Sequence, residues 1–431
     1  MQKPNIVMVI THDTGQHLGC YGASVKTPYL NQLARSGAKF ENYFCTAPQC
    51  SPSRSSIITA RYPHQNGMMG LAHRGWELHP GEMPLPMLLN SAGYETYLFG
   101  VQHESSDPRR LGYRQIDCSQ RSAFAVTEKV VEFLNTSPRE PFFLNIGFIE
   151  THRPFGGTGY DNDPPGNIDV PPYLPDTDAI RRDLSGLHGM VKAVDQAVGQ
   201  IDRSLQENNL TENTIFIFTT DHGIAMPKAK GTLYDPGTKT ALLVRWPNGF
   251  EGGKTYDQLL SNIDLMPTLL EAAEAWTPEG LPGRSFLSLL QGRDYQPREL
   301  IFTELTWHDR YAPTRAVRTN RFKYIRNWGH QPKVFVPGDI IRGLLHEPVI
   351  DEYYQSMRPA EELYDLKHDP HEQSNLATDA QYRRILGELN DILNEWMVST
   401  EDPLLVGPVR KRQEDGDDLW QVEGLRDVPV V

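Results

Sequence analysis

Cysteine is scarce in this 431-residue chain, which has only Cys20, Cys45, Cys50 and Cys118. Four thiols are too few for a disulfide-built fold, and their spacing lacks the close pairing of a zinc site. Long apolar runs are also missing near the start: Ile6 to Ile10 gives way to polar residues too soon for a signal segment or a membrane span. A cytoplasmic protein with no membrane partner is therefore the default expectation. Positive charge is in deficit, with 42 Lys and Arg against 55 Asp and Glu and a formal net charge of -13. That balance opposes binding to a phosphate backbone and argues against a nucleic-acid partner. An anionic substrate would need a local positive pocket. The remaining composition, 39% hydrophobic and 23% charged with 35 Gly and 33 Pro, excludes a fibrous, collagen-like or wholly disordered chain.

The length suits one enlarged α/β domain with a smaller companion. Asn5 to Thr11 (NIVMVIT) has the pattern of a buried parallel strand that releases His12-Asp13 at its C-terminal end, where open α/β sheets place ligands. Thr27-Pro28 then starts a helix with Leu30, Leu33 and Ala34 on one face, ending at Gly37. Further strands are predicted at Glu95 to Phe99, Pro141 to Ile146 and Thr214 to Thr220, and a helix around Leu184 to Leu205. The last strand ends in Asp221-His222, and Glu150-Thr151-His152-Arg153-Pro154 follows the one before it. These polar strand ends could converge at one sheet edge. Gly156 to Asp178 is predicted as a functional surface loop. The boundary of a smaller C-terminal domain is placed at about residue 298, giving domains 1–297 and 298–431. Within it, Arg298 to Leu305 and Ala316 to Asn327 are predicted strands, Trp328 to Tyr354 is irregular, a helix starts near Ala380, and the acidic tail after Glu401 shows no period.

The most specific element is Cys50-Ser51-Pro52-Ser53-Arg54, followed by a predicted helix through Thr59. A cysteine at a helix N-terminus could use its amides to stabilise negative charge; the bland alternative is a half-buried thiol before a proline turn. With PQCSPSR, RYPHQNGM and ELYDLKHDPHEQSNLA (Glu362 to Ala377), the chain resembles the type I sulfatases of the alkaline phosphatase-like superfamily, and Tyr43 to Met68 is especially similar to the N-sulfoglucosamine sulfohydrolase branch. The resemblance implies an α/β fold: a large mixed sheet flanked by helices, with a smaller C-terminal α+β domain. It also implies conversion of Cys50 to formylglycine by a transiently bound formylglycine-generating enzyme, and hydrolysis of a sulfated small molecule or saccharide through a covalent sulfated intermediate. Arg54 matches the arginine that holds the formylglycine hydrate and sulfate, a duty suited to its fixed fork. His103 matches the base that expels sulfate. His152 and Lys230 match the pair acting on the leaving group, Lys228 being a rival to Lys230. Asp13 and Asp221 match carboxylate ligands of a divalent ion that also touches position 50. Glu150, Arg153 and His308 are candidate substrate contacts. Oligomerisation is compatible with all of this.

The chain departs from the family pattern at several positions. His12 replaces the first metal-site aspartate, His222 the asparagine and Val101 a lysine, while Ala60 stands where glycine is usual, a change expected to matter little on a helix. Calcium prefers oxygen ligands and imidazole suits manganese or another transition ion, so calcium by resemblance and manganese by chemistry both stand. His12 is a ligand, a group behind the ligands, or a core residue turned away. His64, His73 or Arg74 could replace the lost lysine. Two other functions are carried alongside: a phosphonate monoester or phosphodiester hydrolase, favoured by Asp221-His222, and a non-catalytic protein that binds sulfated ligands.

Overall fold

The computed structural model describes residues 2–157, 159–344 and 348–411. Its main sheet has eight strands in the order Gln115–Asp117, Glu95–Gly100, Phe142–Gly147, Asn5–Thr11, Thr214–Thr220, Leu242–Arg245, Ala38–Phe40 and Lys254–Tyr256. The first five run parallel; Leu242–Arg245 is antiparallel to both of its neighbours, which makes the sheet mixed. Alternate residues feed two cores. Val7, Val9, Leu144, Ile146, Phe216 and Phe218 pack on one face, and Ile6, Met8, Ile10, Phe143, Ile215 and Ile217 on the other. With both faces covered, these strands become continuous apolar runs.

The first face is covered by the 30-residue helix Asp178–Glu207, whose Leu184, Leu187, Val191, Val194, Val198 and Ile201 recur at helical spacing. The Thr177 hydroxyl accepts from the Ile180 amide and caps its start. On the other face lies Cys50–Thr59, buried along its whole length and so without an amphipathic period. Its end corrects one expectation: Ala60 is not on the helix but in the left-handed region at φ 55°, a conformation in which glycine avoids the Cβ clash that alanine suffers.

In the C-terminal part, Ile301–Trp307, Tyr311–Arg318, Phe322–Asn327 and Glu361–Asp365 form an antiparallel sheet in chain order. Ala316 to Asn327, expected as one strand, contains the turn between two. The helix Arg383–Ser399 packs Leu389, Leu393 and Trp396 against Val317, Tyr324 and Leu363. The opposite face, with Leu305, Ala316 and Ile325, meets Leu233, Tyr234 and Phe335. Trp328 to Tyr354 is not irregular throughout: it contains the helices Gly338–Leu344 and Pro348–Gln355. Each spans only about two turns between glycine and proline breaks, too little for a periodic signal. The tail from residue 412 lies outside the described residues. Among those described, no helix is long and apolar enough to cross a membrane.

Candidate active site

The strands ending in His12-Asp13, Gly147 and Asp221-His222 are neighbours in the sheet, with Glu95–Gly100 beside them, so four polar strand ends share one edge. Backbone bonds fasten the loops together: the His12 amide donates to the Glu150 carbonyl, and the Thr151 amide to that of His12. The Asp13 amide donates to Asp221 Oδ1 at 2.9 Å. At Gly147 a Cβ would lie 1.8 Å from the Val101 carbonyl oxygen, so the absence of a side chain lets the segment carrying His103 approach the strand.

Cys50 begins its helix at the bottom of a cavity of about 210 Å³ lined also by Leu71, His73, Arg74, His103, His152, Lys230, His308, Asp309 and Asp339. Its Sγ lies 3.7 Å from Asp13 Oδ1 and 3.4 Å from His222 Nε2. Burial, reinforced by Asp13, pushes its thiol above the usual range. Arg54 is completely buried, its Nε donating to Asp221 Oδ2 at 3.0 Å, while neither terminal nitrogen has a hydrogen-bond partner among the described residues. A buried guanidinium with two unpaired donors is built to receive an oxyanion.

His12 Nδ1 lies 3.2 Å from Asp221 Oδ2, and Nε2 has no hydrogen-bond partner among the described residues. The ring packs against His103 at 4.5 Å and His152 at 5.9 Å between centroids, so the residue does not turn away into the core. Burial and the Arg54 charge lower its pKa to about 3. Asp13 accepts from Lys230 at 2.7 Å and lies 3.0 Å from His222 Nε2. Although burial disfavours its ionised form, Lys230 and His222 hold its carboxyl well below the usual range. His222 behaves in mirror image: burial favours the neutral ring, and Asp221 and Asp13 overcome it and raise the pKa well above the usual value.

Ligand atoms of His12, Asp13, Cys50 and Asp221 all lie within 4.8 Å of one another. The His222 Nδ1 faces the Gly223 carbonyl at 3.0 Å, which directs Nε2 toward the same centre. Buried carboxylates together with the imidazole nitrogens of His12 and His222 form a donor set that fits a divalent cation.

His103 is held through its amide by the buried carboxylate of Glu104 at 2.7 Å. Burial, with His12 and Arg54 nearby, lowers its pKa well below the usual value, leaving a neutral ring. The His152 Nδ1 donates to the Arg153 carbonyl at 2.7 Å, leaving Nε2 for exchange of a proton. Lys230 is buried between Asp13 and Asp339, the second contact being 2.8 Å. Lys228 does not line the cavity, whereas His308 does.

Two expected substrate contacts need correction. Glu150 is fully buried and its oxygens accept from the Ala123 amide and the Tyr160 hydroxyl, so it ties the loop down. Arg153 donates to the Ala225 carbonyl, pairs with Asp183 and covers the Phe155 ring, again away from the cavity. Nor is His64 available in place of the lost lysine, since its Nδ1 is 2.6 Å from Glu304 Oε2 in a buried network with Arg315 and Asp402. His73 and Arg74 do reach the cavity wall. Sequence reasoning missed Glu104, Asp309 and Asp339; an acidic residue beside His103 was the one signal open to it.

Comparison with known proteins agrees with this geometry. The sulfatase family model matches residues 4–275, most of the chain. The chain belongs to the sulfatase family. A second model, described as the C-terminal part of N-sulphoglucosamine sulphohydrolase, matches residues 228–335. This sulfatase is 30% identical to the human N-sulphoglucosamine sulphohydrolase, over 94% of this chain and 92% of that protein. It is 29% identical to an ulvan-active sulfatase of Formosa agariphila, over 93% of this chain and 76% of the other. Among solved structures, a 2-O GAG sulfatase superposes with a TM-score of 0.75 at 22% identity, covering 94% of both chains. Another, solved with D-glucosamine-2-N,6-O-disulfate as its substrate, gives 0.72 at 18% identity, covering 96% of this chain and all of the other. The likeness to solved structures shows the same fold, a large mixed α/β sheet with a C-terminal antiparallel sheet, and family membership makes this chain a sulfuric ester or sulfamate hydrolase of a metal-dependent, formylglycine-bearing family.

Proposed function

We propose that this sulfatase removes sulfate from a saccharide, with Cys50 carried as formylglycine and one divalent ion held by His12, Asp13, Asp221 and His222. As a hydrate, position 50 would supply the attacking oxygen, and the ion would draw charge from it and from the sulfate. Arg54 binds two sulfate oxygens with its unpaired nitrogens and fixes sulfur above position 50. Neutral His103 takes the proton whose loss frees sulfate in the second half of the cycle. His152 delivers a proton through Nε2 to the bridging atom, and Lys230 offsets negative charge there.

The observation that carries this reading is the fully buried Arg54, anchored by Asp221 through one nitrogen and unpaired at the other two, on the same helix as Cys50. The relatives support a sugar substrate, since two of them are named for sulfated saccharides. The two imidazoles favour manganese or a neighbouring ion over calcium. Matched aryl sulfate, sulfamate and phosphonate monoester substrates test the reaction class. The sulfur substrates should dominate kcat/KM, and dominance of the phosphonate would move the protein to the other hydrolase reading.

A further inference from the structure

Asp339 belongs to the cavity but not to any role assigned so far. It stands near the start of the Gly338–Leu344 helix, and its side chain is 11% exposed. One oxygen, Oδ2, accepts from Lys230 at 2.8 Å; the other, Oδ1, is completely buried and has no hydrogen-bond partner among the described residues. The helix is locked in place: Asp309 Oδ2 accepts from the Gly338 amide at 2.6 Å, and Asp309 Oδ1 lies 3.5 Å from Arg74. The unpaired oxygen is therefore held beside the lysine that addresses the leaving group.

A buried carboxylate oxygen without a donor is costly, and it is an acceptor only. It repels the bridging oxygen of a sulfate ester, which has lone pairs and no hydrogen. The bridging nitrogen of a sulfamate carries an N–H that it can bind. We infer that Asp339 reads the bridging atom of the substrate, accepting the N–H of a sulfamate and so favouring N-sulfated over O-sulfated amino sugars. This rests on the sulfatase reading above and deepens it. In the overall hydrolysis the S–N bond breaks and one water supplies its oxygen to sulfur and both of its protons to nitrogen, so the products are the sulfate dianion and an ammonium that leaves beside the Asp339 carboxylate. That last pairing has no counterpart for a neutral alcohol product.

The test uses the formylglycine-bearing, metal-loaded enzyme with 4-nitrophenyl sulfate, N-(4-nitrophenyl)sulfamate, in which nitrogen bridges ring and sulfur, and the N-methyl derivative of that sulfamate. Asp339→Asn keeps the volume but turns a donor toward the bridging atom, so the sulfamate-to-sulfate ratio of kcat/KM should fall about 10- to 100-fold. In the wild type, the N-methyl sulfamate should lose a similar factor relative to its N–H parent, a comparison that needs no variant to fold. Calorimetry on Cys50→Ala, with and without Asp339→Asn, should show weakened binding of glucosamine N-sulfate relative to glucosamine 6-sulfate. An equal loss on both substrate classes would make Asp339 only a counter-ion for Lys230 and overturn the inference, as would an unchanged ratio. Wild-type turnover of esters without sulfamates would also overturn it while leaving the sulfatase reading intact. Turnover of neither would bring down both.

Discussion

Replacing Arg54 by lysine keeps the charge and removes the fork. In the structure the guanidinium spends Nε on Asp221 and has both terminal nitrogens unpaired, so lysine must satisfy Asp221 and an oxyanion with one ammonium. At least one charge-assisted bond to the substrate is lost, worth about 1.5–3 kcal/mol, and the anchoring geometry loosens as well. With tenfold in rate for each ~1.4 kcal/mol, loss of that bond should lower kcat/KM about 10- to 150-fold, and the loosened anchoring adds to this. Steady-state turnover of 4-nitrophenyl sulfate measures this, and inorganic sulfate gives a second readout. Sulfate should raise the melting temperature of wild type by mass action and do so much less for Arg54→Lys. A variant within threefold of wild type in kcat/KM, with its sulfate-induced melting shift intact, would show that Arg54 is a structural counter-ion to Asp221 and refute the reasoning.

Three further outcomes are expected. Ala60→Gly should raise stability by about 0.5–1 kcal/mol in chemical denaturation, because it relieves a left-handed alanine at the helix end; no change would mean that the surrounding packing absorbs the strain. Arg315→Met, which leaves Asp402 and Glu304 buried without their cation, should cost about 3–5 kcal/mol in the same assay while sparing the geometry around Cys50. Chelation should abolish turnover, and His12→Asp with His222→Asn should shift metal preference from manganese toward calcium in competition binding read by elemental analysis; an unchanged preference would place both imidazoles outside the ion's shell.

Much of the site was legible because its residues follow strong local signals. The runs NIVMVIT and TIFIFTT end as strands where Asp13 and Asp221 begin, and Cys50 to Arg54 opens a helix where its motif suggested one. Strand order was not legible, since nothing local says that Asn5–Thr11 lies between Phe142–Gly147 and Thr214–Thr220. Glu150 and Arg153 misled for a related reason: polar residues beside a site are as often used to clip its loops together as to meet a ligand, and burial alone separates the cases. Asp339 was hidden by the shortness of its helix, and what brings it to the wall of Cys50's cavity is contact between segments far apart in sequence, with Lys230 and, through Gly338, with Asp309.

The central claim is that position 50 carries the nucleophile of a sulfate-transferring site, and the mass of its peptide tests this most directly. Protein made in a host that has the modifying enzyme should give a Cys50 peptide about 18 Da below the thiol mass, and aryl sulfate turnover should rise in proportion to that fraction. Full sulfatase activity from a preparation in which Cys50 is entirely unmodified thiol would contradict the account.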